Sequence, residues 1–420
     1  MKKKIHYHSE CEFFAGCENM IGNFLMSKNL SRDFHVSFSY AQSKKYEEGL
    51  WNRVPRTTAK YFALPLPKLP ELVWFRCLFH GIFHSSLKFV VRLLIAPLIL
   101  IYEIIVLYIL FKKIKPDLVH INNGGYPGAL SARAAALASK LASVPIILMV
   151  VNNVAVGYER YSRKFELPID LMVAHCVDLF ITSSSFTAAR LAKVLRLKPS
   201  KVMTLYNGVN ISNRGQFSKT LFDKSLKLKK RGINFGVVAI LERRKGHEIL
   251  LKAIKKLFEQ GFGHDDFHVF VEGEGSLKDE LKQFVIKENL APFVTFLGHE
   301  KNIEHFMNAC DSIILPSIAD EDFPNVVIEA MSLSKLVIAS KVSGTIEQVH
   351  HNETGFLVSP GDVNELAAAM KVAIRQPNIA KKLGSKAKKR YDDFFTAELA
   401  IGRYLGLYRT LIFGERGKKC

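Results

Sequence analysis

Pro316-Ser317-Ile318-Ala319-Asp320-Glu321-Asp322-Phe323-Pro324-Asn325-Val326-Val327-Ile328-Glu329-Ala330-Met331 closes an apolar run, residues 312–316, and opens a helical pattern. A short apolar run ahead of a polar loop and a helix start reads as a buried strand feeding a helix. Pro324 and Asn325 begin that helix. Its first amides lack intrahelical partners and the helix dipole is positive there, so a diphosphate can bind. Glu329, one turn in, can accept hydrogen bonds from a ribose diol. Glu321, on the loop before the helix, can meet sugar hydroxyls.

The same strand-then-helix unit repeats outward from this stretch. Strand-like runs fall at residues 233–241, 268–272, 294–297, 312–316 and 336–340, with helical patterns at 248–260, 277–288, 303–310, 325–333 and 362–375. Short strands separated by helices imply a parallel sheet covered on both faces, as in a Rossmann-like domain. The first half holds strand candidates at 4–8, 117–121, 145–150, 179–182 and 201–205, and helices at 17–29, 130–142 and 187–195. The expected fold class is therefore α/β, with two Rossmann-like domains. A basic segment at 211–231 marks the junction, through Lys219, Lys224, Lys227, Lys229, Lys230 and Arg231. The predicted division is 1–212, 213–396 and a last helix, 397–420, that crosses back onto the first domain.

Other residues join the first stretch by their chemistry. The run Glu321-Asp322-Phe323-Pro324-Asn325-Val326-Val327-Ile328-Glu329-Ala330-Met331 resembles the E-x-F-P/G…E-A-M signature of the family-four retaining glycosyltransferases, the glycosyl transferases group 1. The resemblance extends over essentially the whole chain and is strongest from 201 to 395. It implies the GT-B fold, two facing Rossmann domains with the active site in the cleft between them. It also assigns the donor sugar to Glu321, the ribose to Glu329, and the diphosphate to backbone amides at Asn325, Val326 and Val327. Glu242-Arg243-Arg244-Lys245-Gly246-His247 resembles the family's basic loop, so Lys245 and Arg244 neutralise the leaving diphosphate. The family's usual arginine five residues before that lysine is Ile240 here, and Arg243 or Arg244 stands in for it.

Gly273 and Gly275 resemble the family's G-x-G turn beside the nucleotide, and Gly298 the next strand end near the base. Asn207-Gly208-Val209-Asn210 matches a turn at the end of the first domain. Gly16, in Ala15-Gly16-Cys17-Glu18, resembles a glycine loop that offers amides to the donor phosphates. His120 resembles a strand-end histidine facing the acceptor, while Asn122 holds the position where many members carry a second one.

Composition bounds the partners. The chain has 420 residues, 48% of them hydrophobic, and a net charge of +20, which allows sizeable cores and attracts polyanions. No zinc-finger, RNP or helix-turn-helix signature accompanies the charge, so nucleic acid is not the expected partner. The six cysteines form no C-x-x-C pair and read as reduced thiols in the cytoplasm. Lys245 and Arg244 are read as replacing a divalent ion, so neither a metal nor another cofactor is expected beyond the nucleotide-sugar donor itself, UDP- or GDP-linked.

Residues 93–111 are nearly all apolar, with Glu103 the one charge. At 1.5 Å per residue that run spans about 28 Å, close to a bilayer core. A spanning helix would separate strands 4–8 and 117–121, and Glu103 at its centre would cost about 3 kcal/mol. The expected arrangement is a helix packed on the first domain with one face toward lipid. Trp51, Trp74, Tyr61, Phe62, Phe75, Phe79, Phe83 and Phe89, mixed with Arg53, Arg56, Lys60, Lys68, Arg76, Lys88 and Arg92, extend that membrane-facing region over 50–111 and suit an anionic surface. The reading is a cytoplasmic enzyme at the inner face of the membrane, acting on a saccharide acceptor that is lipid-linked, in bacterial surface polysaccharide synthesis. The competing readings are an inactive membrane-surface binding protein on the same fold and a nucleotide-sugar epimerase.

Overall fold

The computed structural model describes residues 2–12, 14, 16–55, 57–67, 83–159, 161–210, 232–299, 303–319 and 321–414, with backbone alone for 83–93 and 161–162. The basic junction at 211–231, and Trp74, Phe75 and Phe79 with their basic neighbours, lie outside these residues. The chain forms two compact units, Met1–Leu205 with Ile401–Cys420, and Tyr206–Ala400.

The first unit is built on a seven-stranded parallel sheet in the order β3-β2-β1-β4-β5-β6-β7. Its strands are β1 (Lys4–Ser9), β2 (His35–Ala41), β3 (Lys60–Leu64), β4 (Leu118–Asn123), β5 (Ile146–Val151), β6 (Leu179–Thr182) and β7 (Val202–Thr204). β1, β4 and β5 are buried almost throughout. In β5 burial on both faces gives a continuous apolar run, Ile146–Val151, while β1 and β4 bury polar residues among the apolar ones. β2 and β3 carry no such run. In β2, Ser37 and Ser39 face the buried imidazole of His6, each at 2.8 Å, and Ser39 also meets His8 at 2.8 Å. These hydrogen bonds let polar residues sit inside the sheet without an uncompensated desolvation cost. In β3, Tyr61 and Phe62 belong to a sheet strand, and Phe62 packs against the core of the unit. This corrects their reading as residues of a lipid-facing surface.

The long helix Phe83–Ile114 lies against the helix Leu130–Leu141. The second helix is mostly alanine on its buried side, at Ala132, Ala134, Ala135, Ala136 and Ala138, which lets the first approach closely. The inward face carries Leu100, Glu103, Leu107, Leu110 and Phe111. The outward face exposes Leu94, Leu98, Ile101, Ile105 and Ile109. Tyr404 and Tyr408, on the last helix Ala397–Phe413, are fully buried and pack around His120 in this unit.

The second unit holds a six-stranded parallel sheet in the order β10-β9-β8-β11-β12-β13. Its strands are β8 (Ile233–Val238), β9 (Phe267–Glu272), β10 (Val294–Gly298), β11 (Ser312–Leu315), β12 (Leu336–Ser340) and β13 (Phe356–Val358). The Asn207-Gly208-Val209-Asn210 turn belongs here rather than to the first unit. Val209 forms a bridge with Thr396, and its carbonyl accepts from the Tyr391 hydroxyl at 2.8 Å.

Candidate active site

In the second sheet the chain runs from β8 outward to β9 and β10, then returns to the other side of β8 for β11. That reversal is a topological switch point, and loops leaving the two central strands diverge there to leave a crevice at the strand C-termini. The loop after β8 carries Arg244 and Lys245, and the loop after β11 carries Glu321. The folding pattern itself brings the basic turn and the acidic loop together.

Their backbones touch. Ile318 N–H donates to the Arg244 carbonyl at 2.8 Å. Gly246 has a φ of +70°, and a Cβ there would come within 1.9 Å of the Pro316 carbonyl oxygen. Only glycine permits both the conformation and the approach. On this frame the Lys245 ammonium donates to the Glu321 carboxylate. The Ser317 hydroxyl donates to the same oxygen at 2.8 Å, and an Arg244 nitrogen lies 3.8 Å from it. Glu321 is 6% exposed, so its charge is enclosed but compensated by a cation and a hydroxyl. Arg244 is held from behind by Glu242 at 3.0 Å. Arg243 points outward, 3.8 Å from Glu280, and Ile240 is exposed, so Arg244 is the arginine beside the carboxylate. His247, the next buried residue, has its pKa lowered to about 4 by burial and then by the Lys245 charge. It stays neutral, so the local cations are Lys245 and Arg244.

The helix Asn325–Ser332 starts at the same edge, with Pro324 as its N-cap. The Pro324 carbonyl is fixed by Gln348 Nε2 at 3.1 Å. It also accepts from Val327 N–H at 3.1 Å. That amide is committed inside the turn, which corrects the assignment of Val327 to a diphosphate and leaves Asn325 and Val326 as amide candidates. Glu329 is half-buried one turn along. Gly273 and Gly298 line the neighbouring strand ends. Gly273 N–H donates to the Gly298 carbonyl at 2.8 Å, and a Cβ on Gly273 would meet the Ala239 carbonyl at 2.0 Å. Glu321, Lys245, Arg244, Asn325, Val326, Glu329, Gly273 and Gly298 therefore share one edge of one sheet.

The first sheet has its own switch point between β1 and β4. Gly16 lies in the loop after β1, exposed, at the start of a short 3-10 turn, Gly16–Glu18. His120 is elsewhere. It sits in the middle of β4, 1% exposed, between Tyr7, Phe24, Tyr404 and Tyr408. Its Nδ1 meets the Tyr408 hydroxyl at 2.6 Å, and burial lowers its pKa to about 3. The expectation that it faces an acceptor is corrected: the ring is a neutral core element. Asn122, two residues on, is also buried, donating to Ser9 Oγ at 3.1 Å and accepting from Asn152 at 2.8 Å.

Two residues at these edges carried no role in the sequence reading. Ser317 fixes Glu321, and a small hydroxyl residue directly after a strand-ending proline was the available signal. Glu18 is fully buried and accepts from Ser9, Tyr46 and Asn122. A lone glutamate at a helix start gives no sign of that.

Two parallel-sheet α/β units, each with helices packed on its sheet, are the architecture of the GT-B glycosyltransferases. The model of the glycosyl transferases group 1 matches residues 218–390, and that of glycosyltransferase family 4 matches residues 77–213. The chain belongs to the group 1 glycosyltransferase family and is a glycosyltransferase. It is 28% identical over 292 residues to the N-acetylgalactosamine-N,N'-diacetylbacillosaminyl-diphospho-undecaprenol 4-alpha-N-acetylgalactosaminyltransferase of Campylobacter jejuni, covering 68% of this chain and 74% of the relative. It is 26% identical over 318 residues to the capsular polysaccharide biosynthesis glycosyltransferase CapM of Staphylococcus aureus, covering 74% and 81%. Among solved structures, Anabaena HepE in complex with UDP superimposes with a TM-score of 0.75 at 19% identity, over 97% of this chain and 100% of that one.

Proposed function

We propose that this chain is a retaining glycosyltransferase that moves a sugar from a UDP- or GDP-linked donor to a saccharide acceptor carried on a lipid, at the inner face of the membrane. The observation that carries the donor site is the Lys245–Glu321 pair at the switch point, beside the start of the helix Asn325–Ser332. HepE in complex with UDP and with UDP-glucose supports a nucleotide-sugar donor. A lipid-linked acceptor and a role in surface polysaccharide assembly are supported by the names of the two curated relatives.

In the resting site Lys245 neutralises Glu321. A donor diphosphate competes for Lys245 and Arg244, with the Asn325 and Val326 amides completing its cradle. Glu321, released from its partner, then accepts from sugar hydroxyls, while Glu329 holds the ribose. Charge building on the departing diphosphate is stabilised by groups already in place, which is electrostatic catalysis. The leaving phosphate takes the acceptor's proton on the face it departs from, so retention needs no covalent nucleophile. These residues supply the positive charge from the chain itself, and no metal is assigned to the reaction.

Lys245→Ala and Glu329→Ala test the assignment. Each should lower kcat/KM for transfer at least about 100-fold, a loss of about 2.7 kcal/mol of transition-state stabilisation, with an unchanged circular dichroism spectrum. Normal turnover in both folded variants overturns the site.

A further inference from the structure

The loop after β1 holds a group of side chains that the transfer reaction does not use. Cys11 and Cys17 are six positions apart, yet their Sγ atoms lie 3.2 Å from each other. With a Glu18 carboxylate oxygen, the two sulfurs fall within 4.8 Å of one another. Glu18 is anchored from three directions, by Ser9 Oγ at 2.6 Å, Tyr46 Oη at 3.1 Å and Asn122 Nδ2 at 3.4 Å. The Cys11 and Cys17 sulfurs stand beside it. A carboxylate offers about four lone-pair positions, and the Ser9, Tyr46 and Asn122 donors fill three of them. The fourth is the one a cation can take.

Two thiols and one buried carboxylate converge on one space, a donor set for a single cation. Two sulfurs and one oxygen are a borderline-soft set. They suit zinc and exclude magnesium and calcium, which take oxygen ligands. Around tetrahedral zinc, with Zn–S near 2.3 Å, the sulfurs stand about 3.8 Å apart, so the pair opens by roughly half an ångström.

We propose that Cys11, Cys17 and Glu18 bind one zinc-class divalent cation, with a fourth coordination position left to water. The three donors to Glu18 orient the carboxylate as outer-shell partners do in metal sites. The cation ties both ends of the loop that carries Gly16 to the edge of the sheet. It is a structural clamp within the first unit. The spacing Cys-x5-Cys hides it, since only the loop's return brings the sulfurs together.

The test uses the full chain, reduced and stripped of metal. Zinc is titrated against a chromophoric chelator, and cobalt serves as a spectroscopic probe. The expected result is one equivalent bound, with a thiolate-to-cobalt charge-transfer band in the near ultraviolet. Cys11→Ser and Cys17→Ser should each weaken binding at least about 100-fold. Because two thiol protons leave on binding, affinity should rise about 100-fold per pH unit below the thiol range. Should either variant fail to fold, alkylation of Cys11 and Cys17 in the unaltered chain, mapped by mass spectrometry, is expected to slow on adding zinc. Binding that persists in the Cys11→Ser/Cys17→Ser double variant overturns the proposal. So does alkylation indifferent to zinc, or a purified chain whose Cys11 and Cys17 are joined as a disulfide that excludes the metal.

Discussion

His120 has aromatic rings on its flanks and a hydroxyl on Nδ1, and its neutral form is the one burial allows. Replacing it with phenylalanine keeps an aromatic ring of larger volume and, among the described residues, leaves the Tyr408 hydroxyl with the Tyr7 hydroxyl, 3.4 Å away. His120→Phe should therefore cost about 1–3 kcal/mol of stability by chemical denaturation, with transfer within about threefold of the unaltered enzyme. A 100-fold loss of turnover in the folded variant would return the ring to the chemistry. Lone side chains of this kind were the least legible in sequence. A histidine near a strand end has the same letters whether it meets a substrate or a tyrosine hydroxyl. Glu321 and Lys245 were legible because a strand-loop-helix pattern placed each at a sheet edge. Val327 misled because the sequence does not reveal that its amide folds back onto the Pro324 carbonyl.

Among elements, the helix Phe83–Ile114 has two faces with opposite demands. Inward, the Glu103 carboxyl has its pKa raised to about 9, by burial first and then by Glu10, so it sits neutral in the core at ordinary pH. Outward, Leu98, Ile101, Ile105 and Ile109 stay between 52% and 66% exposed, a stripe too apolar to be left to water without a partner. Part of the helix, 94–114, is long and apolar enough to cross a membrane by length and composition. Packing one face on the alanine-rich helix is the observation behind the membrane-surface placement proposed above. Leu98→Glu/Ile105→Glu should reduce co-sedimentation with anionic phospholipid vesicles at least about tenfold, while donor binding persists. Unchanged sedimentation would count against lipid contact. The strands that were legible are those buried on both sides, such as β4 and β12. β2 was missed because its serines are buried by partners 31 and 33 residues away, β3 because its aromatic residues suggested lipid, and β13 because three residues make a weak pattern.

For the molecule as a whole, the division into two units gives donor binding a distinct signature. Lys245, Glu321, Glu329 and the amide candidates all belong to the unit Tyr206–Ala400. UDP or GDP at about 100 times its Kd should stabilise that unit by about 2.7 kcal/mol through mass action. In scanning calorimetry its transition is expected to move upward, and Lys245→Ala to cancel the shift. No movement with either nucleotide would sink the donor site. The two-unit plan was legible from the alternation of strands and helices. The boundaries were not, since Tyr206 and Val209 are held by the second unit through Phe323, Phe395 and Tyr391, contacts distant in sequence.

The return of the chain to the first unit at Ile401 also sets an order of manufacture. Tyr404 and Tyr408 complete a core whose first strand begins at Lys4, so that core cannot close until all of Tyr206–Ala400 has left the ribosome. At ordinary elongation speeds the wait is roughly 10–40 seconds. Throughout it, the aromatic face made by Tyr7, Phe24 and His120 stands without its covering helix. The nascent first unit is thus a client for any holdase that recognises exposed aromatic surface, and its partner unit is born into the company of an unfinished neighbour.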